Sequence, residues 1–313
     1  MKFLITGASG FLGGRLSTFL ENKGFQIIRG SSNPKMINSS NYDNWVLTEF
    51  NNFENLKNIC KDVDYIIHAA GPNADYCKKL PKSSFEFYSL ATKKFAEAAK
   101  ASQIRKFIFL STAHVYNDKF VGLINEKLPT TNNHPYALAN LEGERIVRQI
   151  FGKSPDRSII IRLSNIFGFP DRKDVNCWML FINNVCKEIV ESQTITIKSN
   201  PFIKRDFIPV NDFCEIILKL CELNFLHKEN NIVNLGSEKT LSLLDTSKLI
   251  KHIYFNKYQK EVKILIKGKI NKIQDFRFCN QILEENNLNF KFKNSEYIEI
   301  DRLLSKCNEY FAS

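Results

Sequence analysis

Three glycines, Gly7, Gly10 and Gly13, follow the apolar run Lys2–Thr6 and open a stretch of helical periodicity, Phe11–Lys23. Little else in the chain restricts its fold so tightly. Gly7 permits a tight turn, Gly10 lets backbone approach an anion, and Gly13 brings the helix close to the strand. The helix mouth adds free N–H groups and partial positive charge, a setting suited to a diphosphate. A plain glycine turn between strand and helix is the simpler alternative.

The first half of the chain alternates short apolar runs with helical patterns, as βαβ units of a parallel sheet require. Strands are expected at Lys2–Thr6, Gln26–Arg29, Trp45–Leu47, Tyr65–Ala69, Lys106–Ser111 and Ser158–Leu163. Helices are expected at Phe11–Lys23, Ser84–Ser102 and Pro135–Phe151, where apolar residues recur at three and four positions. Beyond Gly168-Phe169-Pro170 the regularity fades. Helices near Trp178–Glu191 and Asp212–Leu223 and strands at Thr194–Ile197 and Asn231–Leu235 suggest a smaller lobe. The expected fold class is α/β: a Rossmann-type doubly wound parallel sheet with a smaller C-terminal α/β substrate lobe. The expected division is 1–168 for the dinucleotide-binding domain and 169–313 for the substrate-binding lobe, with the chain crossing between them.

A chain of 313 residues with 43% hydrophobic and 25% charged residues is long enough, and apolar enough, to bury a large core. The net charge of +11 raises the question of a nucleic-acid partner. The lysines are scattered, however, without a block of like charge, and a basic protein that binds phosphorylated small molecules fits equally well. Nucleic acid and membrane are therefore not expected as partners. The first apolar run is too short for an export signal, and no stretch reaches the ~18 apolar residues of a membrane span. The eight cysteines show no C-x-x-C pair or zinc-like spacing, so no metal site is expected. They read as reduced thiols in a cytoplasmic protein, mostly small core residues.

At the end of the second strand, an acidic residue would bond the adenosine ribose of NAD. The chain has Arg29-Gly30-Ser31-Ser32 there, with no carboxylate. A missing acid beside an arginine favours the 2′-phosphate of NADP, with NAD as the alternative. Arg29, Ser31 and Ser32 thus join Gly7, Ser9, Gly10, Phe11, Leu12 and Gly13 as expected cofactor contacts.

In order along the chain, the sequence resembles the extended short-chain dehydrogenases/reductases, which include nucleotide-sugar epimerases, dehydratases and ketoreductases. Thr6–Gly13 looks like TGxxGxxG, Asp64–Ala70 like DxxxHxAA, and Ser111–Tyr116 like SSxxVY. Pro135–Asn140 falls where the family has PYxxSK. Arg162–Gly168 resembles RxxNVYG, Arg205–Val210 resembles RDFIHV, and Asn234–Ser237 resembles a later turn of the same proteins. The resemblance covers about residues 1–245.

The resemblance implies roles. Glu49 is placed near the adenine, and His68, Ala69, Ala70 and Ser111 along the cofactor groove, although His68 also reads as a packed strand histidine, the favoured reading. Tyr136 and Thr112 become the catalytic hydroxyls. Arg205 is expected on a sugar-nucleotide phosphate, a task suited to a planar multi-donor cation. Arg277 is a second candidate for phosphate, and Asn165 either binds substrate or braces its loop. A homodimer through the helices Ser84–Ser102 and Pro135–Phe151 is implied by analogy.

One departure bears on chemistry. A free tyrosine has a pKa of about 10, and the family lowers it with a lysine one helical turn on. Here that residue is Asn140, which brings a hydrogen-bonding amide but no charge. The nearest basic residue along the helix, Arg145, lies on about the opposite face. Ser89 also stands where the family commonly has Asn. Three readings are open: an NAD(P)-dependent oxidoreductase or epimerase on a nucleotide-activated sugar, with Tyr136, Thr112 and Asn140 at an atypical site; a cofactor-binding sensor or inactive partner; or a structural or nucleic-acid-binding protein that kept the fold. The first is favoured.

Overall fold

A computed structural model describes residues 1–39, 44–225, 230–288 and 295–312. Its centre is a seven-stranded, wholly parallel sheet. The strands β1 (Lys2–Thr6), β2 (Gln26–Ser31), β3 (Trp45–Leu47), β4 (Tyr65–His68) and β5 (Lys106–Thr112) enter in chain order, followed by Ser158–Leu163 and Ile232–Leu235. Across the sheet the order is β3, β2, β1, β4, β5, Ser158–Leu163, Ile232–Leu235. The winding direction reverses between β1 and β4, and a doubly wound sheet opens its binding crevice at the carboxyl ends of the strands where this happens.

The central strands read as almost continuous Val, Ile, Leu and Phe because helices cover both faces. On one face, Leu16 and Leu20 of the helix α1 (Phe11–Asn22) and Phe213, Ile217 and Leu220 of Val210–Glu222 pack on Ile5, Ile67 and Ile161. On the other, Phe95 and Ala99 of Thr92–Ala101 and Val147 of Pro135–Phe151 pack on Leu4, Ile66 and Phe107.

The chain leaves this layer and comes back to it. Gly168 ends a short strand, Asn165–Phe167, that pairs with Lys204–Pro209 outside the main sheet. Ile232–Leu235 then returns to become the sheet's edge beside Ser158–Leu163. The remaining helices, Phe181–Ser192, Leu243–Tyr258 and Ser295–Phe311, form their own core around Val185, Ile250 and Leu303.

One expected helix differs in form. The stretch read as Ser84–Ser102 consists of Pro81–Glu86, a π-helical turn at Phe87–Ala91, and Thr92–Ala101. A π turn inserts one extra residue and rotates the next helical turns about the axis, a distortion frequent at functional sites. It buries Tyr88 and leaves Leu90 exposed.

Among the described residues no helix is long and apolar enough to cross a membrane. The eight cysteines are free, and seven of them are buried.

Candidate active site

The site is built where β1 meets α1. Gly10 caps α1 in extended conformation without a side-chain hydrogen bond, and no acidic residue occupies the first turn. The first-turn amides of Phe11, Leu12 and Gly13 therefore face outward without a capping side chain. Gly7 has φ +71°, and a Cβ there would lie 2.8 Å from the backbone of Ala69 and Ala70. A Cβ on Gly13 would fall 2.4 Å from the Gly7 carbonyl oxygen. At Gly10 the nearest obstacle to a Cβ is 3.2 Å away. The turn is thus tightest at its first and third glycines and less constrained at its second. The donor set and the bare backbone fit the diphosphate of a dinucleotide.

From this mouth a cavity of about 560 Å³ runs along the carboxyl ends of the strands. That volume lies within the range that accommodates small ligands and cofactors. Gly7, Gly10, Phe11, Leu12, Gly13, Ala69, Ala70 and Ser111 line it, as do Thr112, Tyr136, Asn140, Asn165 and Arg205. Residues drawn from positions 7 to 207 thereby meet in one space.

Tyr136 and Thr112 come together through a chain of local bonds. Pro135 starts its helix, and the His134 side chain caps it by accepting the Tyr136 N–H at 3.2 Å. Asn132 accepts the His134 N–H at 2.9 Å and donates to the His114 carbonyl at 2.7 Å. His114 in turn donates its N–H to Thr112 Oγ1 at 3.2 Å. Asn132 and His134, both missed by sequence reasoning, join the helix start to the β5 end. Their signal, an Asx/His turn just before the Pro, was available in the sequence.

Burial pushes the Tyr136 phenol above its ordinary value; hydrogen bonding to Thr112 and Asn140 opposes the shift without cancelling it. The Tyr136 phenol is accordingly neutral near pH 7. Asn140 is 1% exposed and donates through Nδ2 to the Tyr136 carbonyl at 2.8 Å. No lysine lines the cavity among the described residues.

Several expected contacts have other partners. Arg29, expected at a 2′-phosphate, is 3% exposed and lies bidentate on Glu21 of α1, at 3.0 and 2.8 Å. Its strand position turns it toward the helix rather than toward the strand end. Arg277, expected on a phosphate, is exposed between the buried Phe276 and Phe278 and is absent from the cavity wall. Alternation along the strand sends its side chain outward. Glu49 is exposed and accepts from Asn52 at 3.2 Å, and Ser32 is exposed; neither lines the cavity.

His68 is fully buried between Phe50, Phe95, Phe107 and Phe109. Its ring nitrogens meet Thr6 Oγ1 at 2.7 Å and Thr92 Oγ1 at 3.3 Å. Burial depresses its pKa to about 3, so it is neutral packing within the sheet. Ser31 donates to Ser9 Oγ at 3.2 Å, tying the end of β2 to the glycine turn.

The Ser111 hydroxyl donates to Glu144 at 2.6 Å, and Glu144 holds Arg162 in a buried bidentate pair at 3.0 and 2.7 Å. Asn165 donates to the Asp206 carbonyl at 2.9 Å, which braces its strand while its side of the cavity remains open. Arg205 is half-buried and lines the same cavity. Arg172, not foreseen from sequence, reaches back to the Ser9 carbonyl at 3.3 Å and adds a cation beside the glycine turn.

A doubly wound sheet, an uncapped glycine turn and a tyrosine–threonine pair on the wall of one cavity define an α/β protein of the dinucleotide-binding kind. Residues 3–236 match the model of the NAD-dependent epimerase/dehydratase family, and the chain belongs to that family. It is 28% identical over 283 residues to a dTDP-D-glucose 4,6-dehydratase of Dictyostelium discoideum, covering 80% of this chain but only 62% of that one. To an uncharacterized UDP-glucose epimerase of Bacillus subtilis it is 26% identical over 272 residues, covering 81% of this chain and 82% of the relative. The UDP-glucuronic acid 4-epimerase of Bacillus cereus, solved with UDP-glucuronic acid and NAD, shares the fold with a TM-score of 0.74. That likeness covers 98% of this chain and 100% of the other at 20% identity.

Proposed function

We propose that the protein is an NAD(P)-dependent oxidoreductase or epimerase that acts on a nucleotide-activated sugar by ketoreduction or hydride-transfer epimerisation. The observation that carries this reading is the meeting of Tyr136 and Thr112 on the wall of the cavity that the glycine turn also lines. A dinucleotide held by the glycine turn would provide the hydride chemistry of its nicotinamide. The remaining work falls to the chain. Phe11, Leu12 and Gly13 amides hold the diphosphate, Thr112 polarises the sugar carbonyl, and Tyr136 gives its proton to the carbonyl oxygen. A raised phenol suits the reductive direction, in which tyrosine reacts from its neutral form. Arg205, on the cavity wall, holds a substrate phosphate, and Asn165 bonds the sugar or steadies the loop. Either NADP or NAD fits the β2 end. Ser31 and Ser32 offer no carboxylate against a 2′-phosphate, which keeps NADP the preferred cofactor even with Arg29 engaged by Glu21.

The test is oxidation of NADPH or NADH by a panel of 4-keto nucleotide sugars, and reduction of NADP or NAD by their 4-hydroxy counterparts, each followed by the reduced-cofactor absorbance. Tyr136→Phe is expected to lower turnover by about 10²-fold or more while cofactor affinity stays the same. Equal turnover in the two proteins would refute the role of Tyr136.

A second reading has one observation in its favour: the cavity carries no lysine among the described residues, and Asn140 leaves Tyr136 without a neighbouring charge. The chain then binds cofactor without turnover, as a sensor or an inactive partner. Thermal stabilisation by cofactor with none by any nucleotide sugar favours this reading; stabilisation by both favours the enzyme.

A further inference from the structure

Tyr88 lines the cavity, although nothing in its sequence context points there. The π turn at Phe87–Ala91 turns its ring inward, where it is 4% exposed. Two glycines make room for it. A Cβ on Gly143 would lie 3.0 Å from Tyr88 Cδ1, and a Cβ on Gly71 would lie 2.3 Å from its hydroxyl oxygen. Phe87 and Phe109 hold the ring edge-on at 5.7 and 6.2 Å. A phenol fixed this firmly loses little freedom when it makes a further hydrogen bond.

Its hydroxyl also occupies a definite place along the cavity. Gly7 packs against Ala69 and Ala70, and the next residue, Gly71, lies against the Tyr88 hydroxyl. Beyond it comes Asn140, whose amide favours the ionised forms of both Tyr88 and Tyr136. Contacts thus link the glycine turn through Gly71, Tyr88 and Asn140 to Tyr136 along the cavity wall. A dinucleotide with its diphosphate at the glycine turn and its reactive ring near Tyr136 carries a ribose between the two. That ribose presents vicinal hydroxyls, each a donor and an acceptor. The Asn140 amide nitrogen already donates to the Tyr136 carbonyl, whereas a tyrosine hydroxyl serves as donor and acceptor together.

We propose that the Tyr88 hydroxyl, held between Gly71 and Asn140, contacts the nicotinamide-side ribose of the bound dinucleotide and is a cofactor-positioning residue of this site. The inference rests on the dinucleotide site proposed above. It assigns the neutral wall of the cavity a binding task that a shorter side chain at position 140 leaves open.

The experiment compares binding of NADPH, NADH and ADP to wild-type protein, Tyr88→Phe, Gly71→Ala and the double variant, by calorimetry, with thermal unfolding as a check on folding. ADP lacks the second ribose. Tyr88→Phe is expected to weaken the reduced dinucleotides about tenfold, or ~1.4 kcal/mol, and to leave ADP unchanged. Gly71→Ala displaces the hydroxyl and is expected to do the same, with a smaller added effect in the Tyr88→Phe background because the clashing atom is gone. Wild-type affinity for the dinucleotides in Tyr88→Phe overturns the proposal, and so does an equal loss for ADP. Strictly additive effects of the two substitutions also overturn it. If wild-type protein binds ADP but neither dinucleotide, the fault lies with the proposed function itself.

Discussion

Asn140 turns its amide back onto the carbonyl of Tyr136, one helical turn earlier, at 2.8 Å. A side chain at this position sits between two tyrosine rings and is almost completely buried. Its charge therefore sets the ionisation of the site.

Asn140→Lys places an ammonium beside Tyr136. Opposite charge favours the phenolate, so the tyrosine-dependent limb of the pH–rate profile, rising in oxidation and falling in reduction, is expected to move to lower pH. Oxidative or epimerising turnover near pH 7 should rise by about tenfold or more, and reductive turnover by less. A full pH–rate profile in both directions checks this. An unchanged tyrosine titration together with unchanged turnover contradicts the account of the site.

The glycine turn predicts two different failures. A side chain at Gly10 enters the cavity with its nearest backbone neighbour 3.2 Å away, so Gly10→Val is expected to fold and to lose dinucleotide binding. A Cβ at Gly13 meets the Gly7 carbonyl at 2.4 Å, so Gly13→Ala is expected to lower the melting temperature by several degrees. Calorimetric unfolding with and without NADPH separates the two. A folded Gly10→Val protein that still saturates with nicotinamide nucleotides removes the basis of the site.

Asp206 joins the two parts of the fold. One carboxylate oxygen accepts from Ser164 at 2.7 Å and from the Ser237 amide at 2.8 Å, and the other from the Ser237 hydroxyl at 3.0 Å. Burial nonetheless raises its pKa to about 6. Between about pH 4 and pH 6 the folded protein thus holds a proton that the unfolded chain has released, and stability falls as pH rises through that window. The loss is on the order of 3 kcal/mol. Asp206→Asn keeps an acceptor for Ser164 and Ser237 and is expected to flatten this part of the stability curve. Melting temperatures across the same acidic range up to neutrality provide the check, and parallel curves for the two proteins would show that Asp206 does not titrate there.

The helical faces around the π turn leave Leu80, Phe85, Leu90 and Leu138 exposed, Leu90 by 60%. Apolar side chains grouped on neighbouring helices favour cover by a second copy of the chain. The protein is expected to sediment as a homodimer and Leu90→Asp as a monomer. Sedimentation of the wild-type chain as a monomer excludes this contact.

The residues themselves determined the parallel sheet and its mouth. Apolar runs buried on both faces and three glycines at a strand–helix junction are local patterns, and each admits few backbone solutions. The pairing of Tyr136 with an uncharged residue one turn on was equally plain, because helical spacing is a local rule. The partners of side chains were not. Arg29 and Glu21 belong to a strand and a helix, and only the packing of the two gave the guanidinium to a carboxylate instead of a phosphate. The strand Ile232–Leu235 was legible as a strand and Lys204–Pro209 as a motif, but the places of both depend on neighbours distant in sequence. Tyr88 was hidden for the same reason. A π turn rotates it inward, and the two glycines that admit it, Gly71 and Gly143, come from a loop and a helix far from it along the chain.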